Sequence, residues 1–190
     1  MDAKAELDDI NDILEGEEKI NGMYFPLKAN LFKAFELTLL EKVKVVLIGQ
    51  DPYHDLIANH PRAIGVSFGV SRQANIPPSL RNIYKELQRS VPGFTHGDLT
   101  YWAQQCVLLL NMCLTVRPHQ PESHGDIWLG FINKVINVIC QQNPKCVFML
   151  LGRKAQKIEK MLGERALVLK TSHPSSFSAN KGFIGSNIFV

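Results

Sequence analysis

Residues 43–55 read VKVVLIGQDPYHD, and this stretch decides the fold class. Val43, Val45, Val46, Leu47 and Ile48 make a nearly continuous aliphatic run, the pattern of a strand buried on both faces. The run stops at Gly49. Gln50, Asp51, Pro52, Tyr53 and His54 follow without a spacer, so an amide, a carboxylate, a phenol and an imidazole crowd one strand tip. Taken by itself, an Asp-Pro step is ordinary turn chemistry.

Three further apolar runs repeat the pattern: VLLL at 107–110 ending in Asn111, CVFMLL at 146–151 ending in Gly152, and ALVL at 166–169. Helical spacing separates them. One helix is predicted over 4–15 and another over 30–41, where Leu31, Phe32, Phe35 and Leu39 form a stripe. A third starts after Pro77-Pro78 with Ser79 as its cap and Leu80, Ile83, Tyr84 and Leu87 inward. A fourth covers 126–141, capped by Asp126, with Trp128, Phe131, Ile132, Val135 and Ile139 inward, and a fifth covers 153–162. Tyr101 and Trp102 are assigned to the core, and the Ser-, Asn- and Gly-rich tail from Thr171 reads as loop.

Apolar strands alternating with helices predict an α/β fold, a three-layer αβα sandwich around a central four-stranded parallel sheet. Ligands of such folds bind beyond the carboxyl ends of the strands. The residues to inspect are therefore Gln50 to His54, Asn111, Gly152 to Lys154 and Ser172 to Ser175.

The 190 residues suit one domain of ordinary apolar content, 45%. Residues 1–19 carry a net charge of −6, leaving +9 on residues 20–190 against the total of +3. The chain thus divides into an acidic N-terminal segment, expected to be a solvated helix, and a basic body at 20–190. A basic body suits a polyanionic partner. No apolar run approaches the ~20 residues needed to span a bilayer, and residues 1–19 lack the blocks of a signal peptide. An intracellular protein with no membrane partner is expected. Cys106, Cys113, Cys140 and Cys146 sit among apolar residues without metal-ligand spacing, as free thiols do.

Phosphate-cradling motifs and a G-x-S-x-G nucleophile elbow are absent from the sequence. His119 and His124 share the loop RPHQPESH but lack a second ligand cluster, so no metal site is expected. The strand tips instead offer a carboxylate (Asp51), an imidazole (His173), an amide (Asn111) and aromatic rings (Tyr53, Phe68). That set suits cleavage of a bond to a flat, hydrogen-bonding leaving group: a carboxylate steadies a cation and a water, and an imidazole steadies charge on the departing group.

GQDPYH at 49–54, IPPSL at 76–80, LLLN at 108–111 and HPSSFS at 173–178 together resemble the ordered motifs of family 1 uracil-DNA glycosylases. The resemblance runs from about Tyr24 to the last residue and includes YFP, GVSF, LTVR and KGFIG. It implies an enzyme that flips uracil out of single- or double-stranded DNA and hydrolyses its N-glycosidic bond, acting as a monomer with no metal or cofactor. By the same resemblance Asp51 would orient water and stabilise the sugar cation, and His173 would donate to O2 of the uracil anion. Gln50 would contribute backbone contacts, and Tyr53 would occupy the place of a thymine methyl. Phe68 would stack on the base, and Asn111 would read its edge. Pro77, Ser79, Ser175 and Ser178 match the loops that pinch the DNA backbone. A DNA-mimicking inhibitor protein is a further partner known for the family.

The departures are as specific. HPSSFS stands where the family usually has HPSPLS, so Phe177 would be the wedge in the duplex and Ser176 replaces a proline. Arg153 stands where the family commonly has serine. The stretch DLIANHPRAIGVSF at 55–68 is longer than the usual glycine-rich link. Lys85, Arg89, Lys154, Lys157 and Lys181 join Arg153 as candidates for a DNA groove. The alternative reading is a glycosylase-like DNA-binding subunit of a polymerase; Gln50, Asp51, Asn111 and His173 argue against it, since a pure binding module has no need of them.

Overall fold

A computed structural model describes residues 3–88 and 93–190. The elements in chain order are α1 (Ala3–Asn21), α2 (Lys33–Leu37), β1 (Val45–Gly49), β2 (Leu56–Ile57), β3 (His60–Pro61), α3 (Pro78–Leu87), α4 (Thr100–Gln104), β4 (Val107–Asn111), α5 (Gly125–Gln142), β5 (Val147–Leu151), α6 (Glu159–Leu162) and β6 (Leu167–Thr171). Four strands form one parallel sheet in the order β4-β1-β5-β6. In register, Gly49 of β1 lies beside Asn111 of β4, so the two polar tips emerge together.

Alternation along the strands splits the core into two layers. Val46, Ile48, Leu108, Leu110, Phe148 and Leu150 face a cluster with Trp128, Ile132, Ile136 and Ile139 of α5 and Ile10 and Leu14 of α1. Leu47, Leu109, Met149 and Leu151 face Leu80, Ile83 and Tyr84 of α3 together with Leu99 and Phe183. Each aliphatic side chain fully buried in these layers contributes about 1.5–3 kcal/mol. The three-layer α/β sandwich is as the alternation of runs predicts.

The helices differ from expectation where side chains compete with local propensity. The acidic segment is not a solvated rod: α1 reaches Asn21, buries Ile10 and Leu14, and buries Glu17 against Arg117. The helix predicted over 30–41 is broken into a 3-10 turn at Lys28–Asn30, α2, and a second turn at Leu40–Lys42. Thr38 leaves it in extended geometry because its hydroxyl donates to the carbonyls of Ala103 and Val107, at 3.2 and 3.3 Å. Leu39 is half exposed as a result.

Ser79 is not the cap of α3. Pro77 holds that place and Pro78 begins the helix, where a missing N–H costs nothing. Asp126 likewise lies in the first turn of α5, whose cap is His124. The segment 153–162 is a 3-10 turn at Ala155–Ile158 followed by the single turn of α6. Tyr101 is 67% exposed on α4, a helix that periodicity did not suggest, while Trp102 packs partly against the second core layer. The tail is loop around a 3-10 turn at Ala179–Lys181, tied to α3 by Glu86, whose carboxylate accepts from the amides of Gly185 and Asn187. All four cysteines are free, and Cys106 is only partly buried.

Candidate active site

Beyond the carboxyl ends of β1 and β4 lies a cavity of about 180 Å³ lined by Gln50, Asp51, Tyr53, Phe68, Asn111 and His173, with Ser79 at its edge. Zipping continues past the strands: the amides of Met112 and Cys113 donate to the carbonyls of Gly49 and Gln50, both at 3.0 Å. Gly49 is required there, since a Cβ would stand 2.2 Å from Ser67 Oγ and 2.3 Å from Asn111 Oδ1.

Asp51 is held by a single backbone contact, the amide of Glu122 donating to Oδ2 at 2.9 Å. Burial pushes its carboxyl above the ordinary 3.8; the Glu122 amide and the charges of Lys154 and His54 pull the other way. Glu122 itself takes a left-handed φ of 68° and pairs through its side chain with Lys154. This amide was not legible in the sequence, because any residue type supplies an N–H.

His173 follows β6 and packs against Gly152, where an added Cβ would come within 2.8 Å of His173 Cβ. The Ser175 amide donates to its Nδ1 at 3.0 Å, so the neutral ring carries its proton on Nε2. Burial lowers its pKa below the ordinary 6.5, which keeps it neutral at pH 7. Phe68 has a left-handed φ of 61°, its ring 6.0 Å from that of His173. Tyr53 donates its hydroxyl to the Phe68 carbonyl at 3.3 Å, and burial drives its phenol far above the ordinary range. Asn111 is 8% exposed and its side-chain amide makes no hydrogen bond among the described residues.

Arg153, Ser175, Phe177 and Ser178 line an adjoining groove of about 420 Å³ that shares Gln50 and His173 with the cavity. Phe177 projects from it, 87% exposed. The loop needs no proline at Ser176: Ser172 Oγ donates to the Ser178 carbonyl at 3.0 Å, and Asn82 Nδ2 donates to the Pro174 carbonyl at 2.8 Å. Pro77 is buried at the start of α3 and lines neither space. Lys154 and Lys157 line a further groove of about 870 Å³ with Glu122 and Asp126. Lys85 and Lys181 are exposed and line none of the three, and Arg89 lies outside the described residues.

His119 and His124 go separate ways. The ring of His119 faces that of His54 at 6.5 Å. His124 is buried, its Nδ1 hydrogen-bonded to the Thr115 hydroxyl at 2.8 Å, and Trp128 Nε1 donates to that hydroxyl at 2.7 Å. Among the described residues no group of three or more His, Cys, Asp or Glu is placed to hold a metal.

A polar, base-sized cavity at the tips of a parallel sheet, beside a groove with basic residues and an exposed aromatic ring, is the architecture of a nucleobase-handling α/β protein. The profile of the Uracil DNA glycosylase superfamily matches residues 38–189, most of the chain. The chain is 47% identical over 186 residues to the uracil-DNA glycosylase of Francisella tularensis subsp. tularensis strain WY96-3418, covering 95% of itself and 83% of that protein. It is 46% identical to the uracil-DNA glycosylase of subsp. novicida strain U112 over the same shares. Among solved structures, a mimivirus UNG variant in complex with UGI superposes with a TM-score of 0.85 at 27% identity. That match covers 91% of this chain and 66% of the mimivirus chain. The chain belongs to the uracil-DNA glycosylase superfamily.

Proposed function

We propose that the protein is a DNA-repair glycosylase: it flips uracil out of DNA and hydrolyses the N-glycosidic bond, leaving an abasic site. The observation that carries this is the convergence of Asp51, Tyr53, Phe68, Asn111 and His173 on one 180 Å³ cavity. The C1′–N1 bond breaks with its electron pair leaving on the base, and positive charge spreads over the sugar. The ionised Asp51 faces that charge and orients water, whose oxygen adds at C1′ while its proton passes to the carboxylate. The Nε2 proton of neutral His173 meets the negative charge at O2 of the departing base. Asn111 donates to O4 and accepts from N3–H, a pattern that cytosine reverses, and unpaired polar groups in a dry pocket make the mismatch costly. Tyr53 fills the space at C5. The relatives are named for the glycosylase, which lends the accessory-subunit alternative no support.

Purified protein and a uracil-containing oligonucleotide test the reading directly. Alkali-labile abasic sites should form and should continue to form in chelator; their absence would end the proposal.

The rate should fall on the acid side. His173 is neutral above its lowered pKa, so its protonation enters somewhere below 6.5, while Asp51 loses its charge as pH falls through a value raised above 3.8. Folding stability follows the imidazoles in the same direction. His124 and His173 both have lowered pKa values, so below 6.5 the unfolded chain binds protons that the fold resists, and stability declines with falling pH. Base release and melting temperature measured between pH 4 and pH 8 check both limbs.

Phe177 is the proposed wedge, its ring taking the space vacated by the flipped nucleotide. Phe177→Ala should reduce base release from duplex by about 10-fold or more, since holding an unstacked step costs a few kcal/mol. Release from single strands should change little. Equal losses on both substrates would contradict the wedge. A DNA-mimicking inhibitor protein would compete for this same groove, as a proposed partner.

A further inference from the structure

The long link after His54 folds into a hairpin. β2 and β3 pair antiparallel around Ala58 and Asn59, both at positive φ (47° and 63°), the two-residue geometry that matches strand twist. Neither residue is glycine, so the turn does not close itself. Its ends do: the Arg62 amide donates to the Asp55 carbonyl at 3.0 Å, and Arg62 Nε donates to both Asp55 carboxylate oxygens at 2.9 Å. A further contact from Nη2 to Oδ2 at 2.7 Å completes the fork. The guanidinium carbon thus stands 5.9 Å from the centre of the Tyr53 ring, within cation–π range, and Nη1 reaches the Asn75 carbonyl at 3.3 Å. Only 19% of the Arg62 side chain is exposed.

Tyr53 is therefore gripped from three directions. Its hydroxyl rests on the Phe68 carbonyl, its ring packs with Phe25, Ala63 and Val116, and Arg62 sits over its face. A filter that works by clash is only as strict as its wall is stiff. Shape complementarity alone separates substrates differing by one methyl group weakly, so strict rejection requires a ring with no room to retreat.

We infer that Arg62, locked by Asp55, is a specificity-determining positioning residue that holds Tyr53 against substituents at C5 of the base. The inference rests on the uracil-excising reading above. It also gives the hairpin a role: the link carries the guanidinium over the Tyr53 ring without lining the cavity, and ties it, through Asn75, to the segment leading into Ile76 and Pro77.

The test compares release of uracil and 5-bromouracil from single-stranded oligonucleotides by the wild type, Arg62→Ala, and the exchange Asp55→Arg with Arg62→Asp. The exchange keeps an ion pair across the hairpin but starts the guanidinium from the other strand. Arg62→Ala should raise the ratio of kcat/KM for 5-bromouracil to that for uracil by about 10-fold or more. The exchange should remain lax, whatever it does to the melting temperature. A ratio unchanged in Arg62→Ala, or strictness regained by the exchange, overturns the inference and leaves a structural hairpin. Failure of the wild type to release uracil would instead end the functional reading itself.

Discussion

Asp51→Asn is expected to slow uracil release by about 10³-fold, at the upper part of the range for a charged group acting on a reacting centre. DNA affinity should change little, because Asp51 lies inside the cavity while the residues proposed to meet the DNA backbone, Arg153, Ser175 and Ser178, line the neighbouring groove. The same substitution should stabilise the fold. Burial raises the pKa of Asp51, which means the folded state resists its charge at neutral pH, and a neutral amide removes that penalty. A neutral Asn oxygen still accepts the Glu122 amide. Single-turnover base release, a binding titration and a thermal melt on one preparation separate the three effects. An unchanged rate of base release would refute the mechanism; a lower melting temperature would refute the electrostatic account of the site.

Gly65→Ala should produce the largest loss of stability among simple glycine changes. Gly65 has a φ of +77°, and a Cβ there would stand 1.8 Å from the Asn30 carbonyl oxygen and 2.9 Å from Lys33 Cβ. The first contact is with backbone, so relief requires moving the segment before α2 or the cavity wall itself. Overpacking and the left-handed penalty together suggest about 3 kcal/mol. For a chain of this size that is a drop of roughly 6–12 °C in melting temperature. Gly16→Ala, mid-α1 with open space around it, supplies the contrast: it should stabilise by about 0.5–1 kcal/mol. Equal effects at both positions would show that neither space nor φ governs them.

The sheet was legible because its signal is redundant. Four apolar runs, each ending in polar residues, leave few other ways to bury them, and all four became strands within about two residues of their predicted bounds. Helix limits were less legible, since single side chains decide them. Thr38 trades a helical turn for two carbonyls more than 60 residues away, and Pro77 rather than Ser79 caps α3. Neither partner is visible in a local window. The cavity-lining side chains could be singled out from the sequence by chemistry at strand tips and by motif resemblance. Contacts made through backbone could not: the Glu122 amide on Asp51 and the Ser175 amide on His173 leave no residue-type trace. The hairpin at 55–62 was equally hidden, because Ala58-Asn59 lacks the glycine that usually announces such a turn.

The first helix has a consequence for how the chain is made. During synthesis α1 appears long before α5, against which it packs, and its Glu17 waits a hundred residues for Arg117, to which it is joined by hydrogen bonds of 2.7 to 3.1 Å. Most of the stability of a helix in a protein comes from tertiary packing of its apolar face, which α1 lacks until α5 is made. In that interval Ile10 and Leu14 have no core, and the eight acidic residues of the first 19 keep the segment hydrated and self-repelling. When Arg117 arrives, one of those charges is withdrawn from water into a bidentate pair, beside the loop whose Glu122 amide grips Asp51. α1 thus closes behind the loop that grips Asp51, while His173, which lines the same cavity, is synthesised later still.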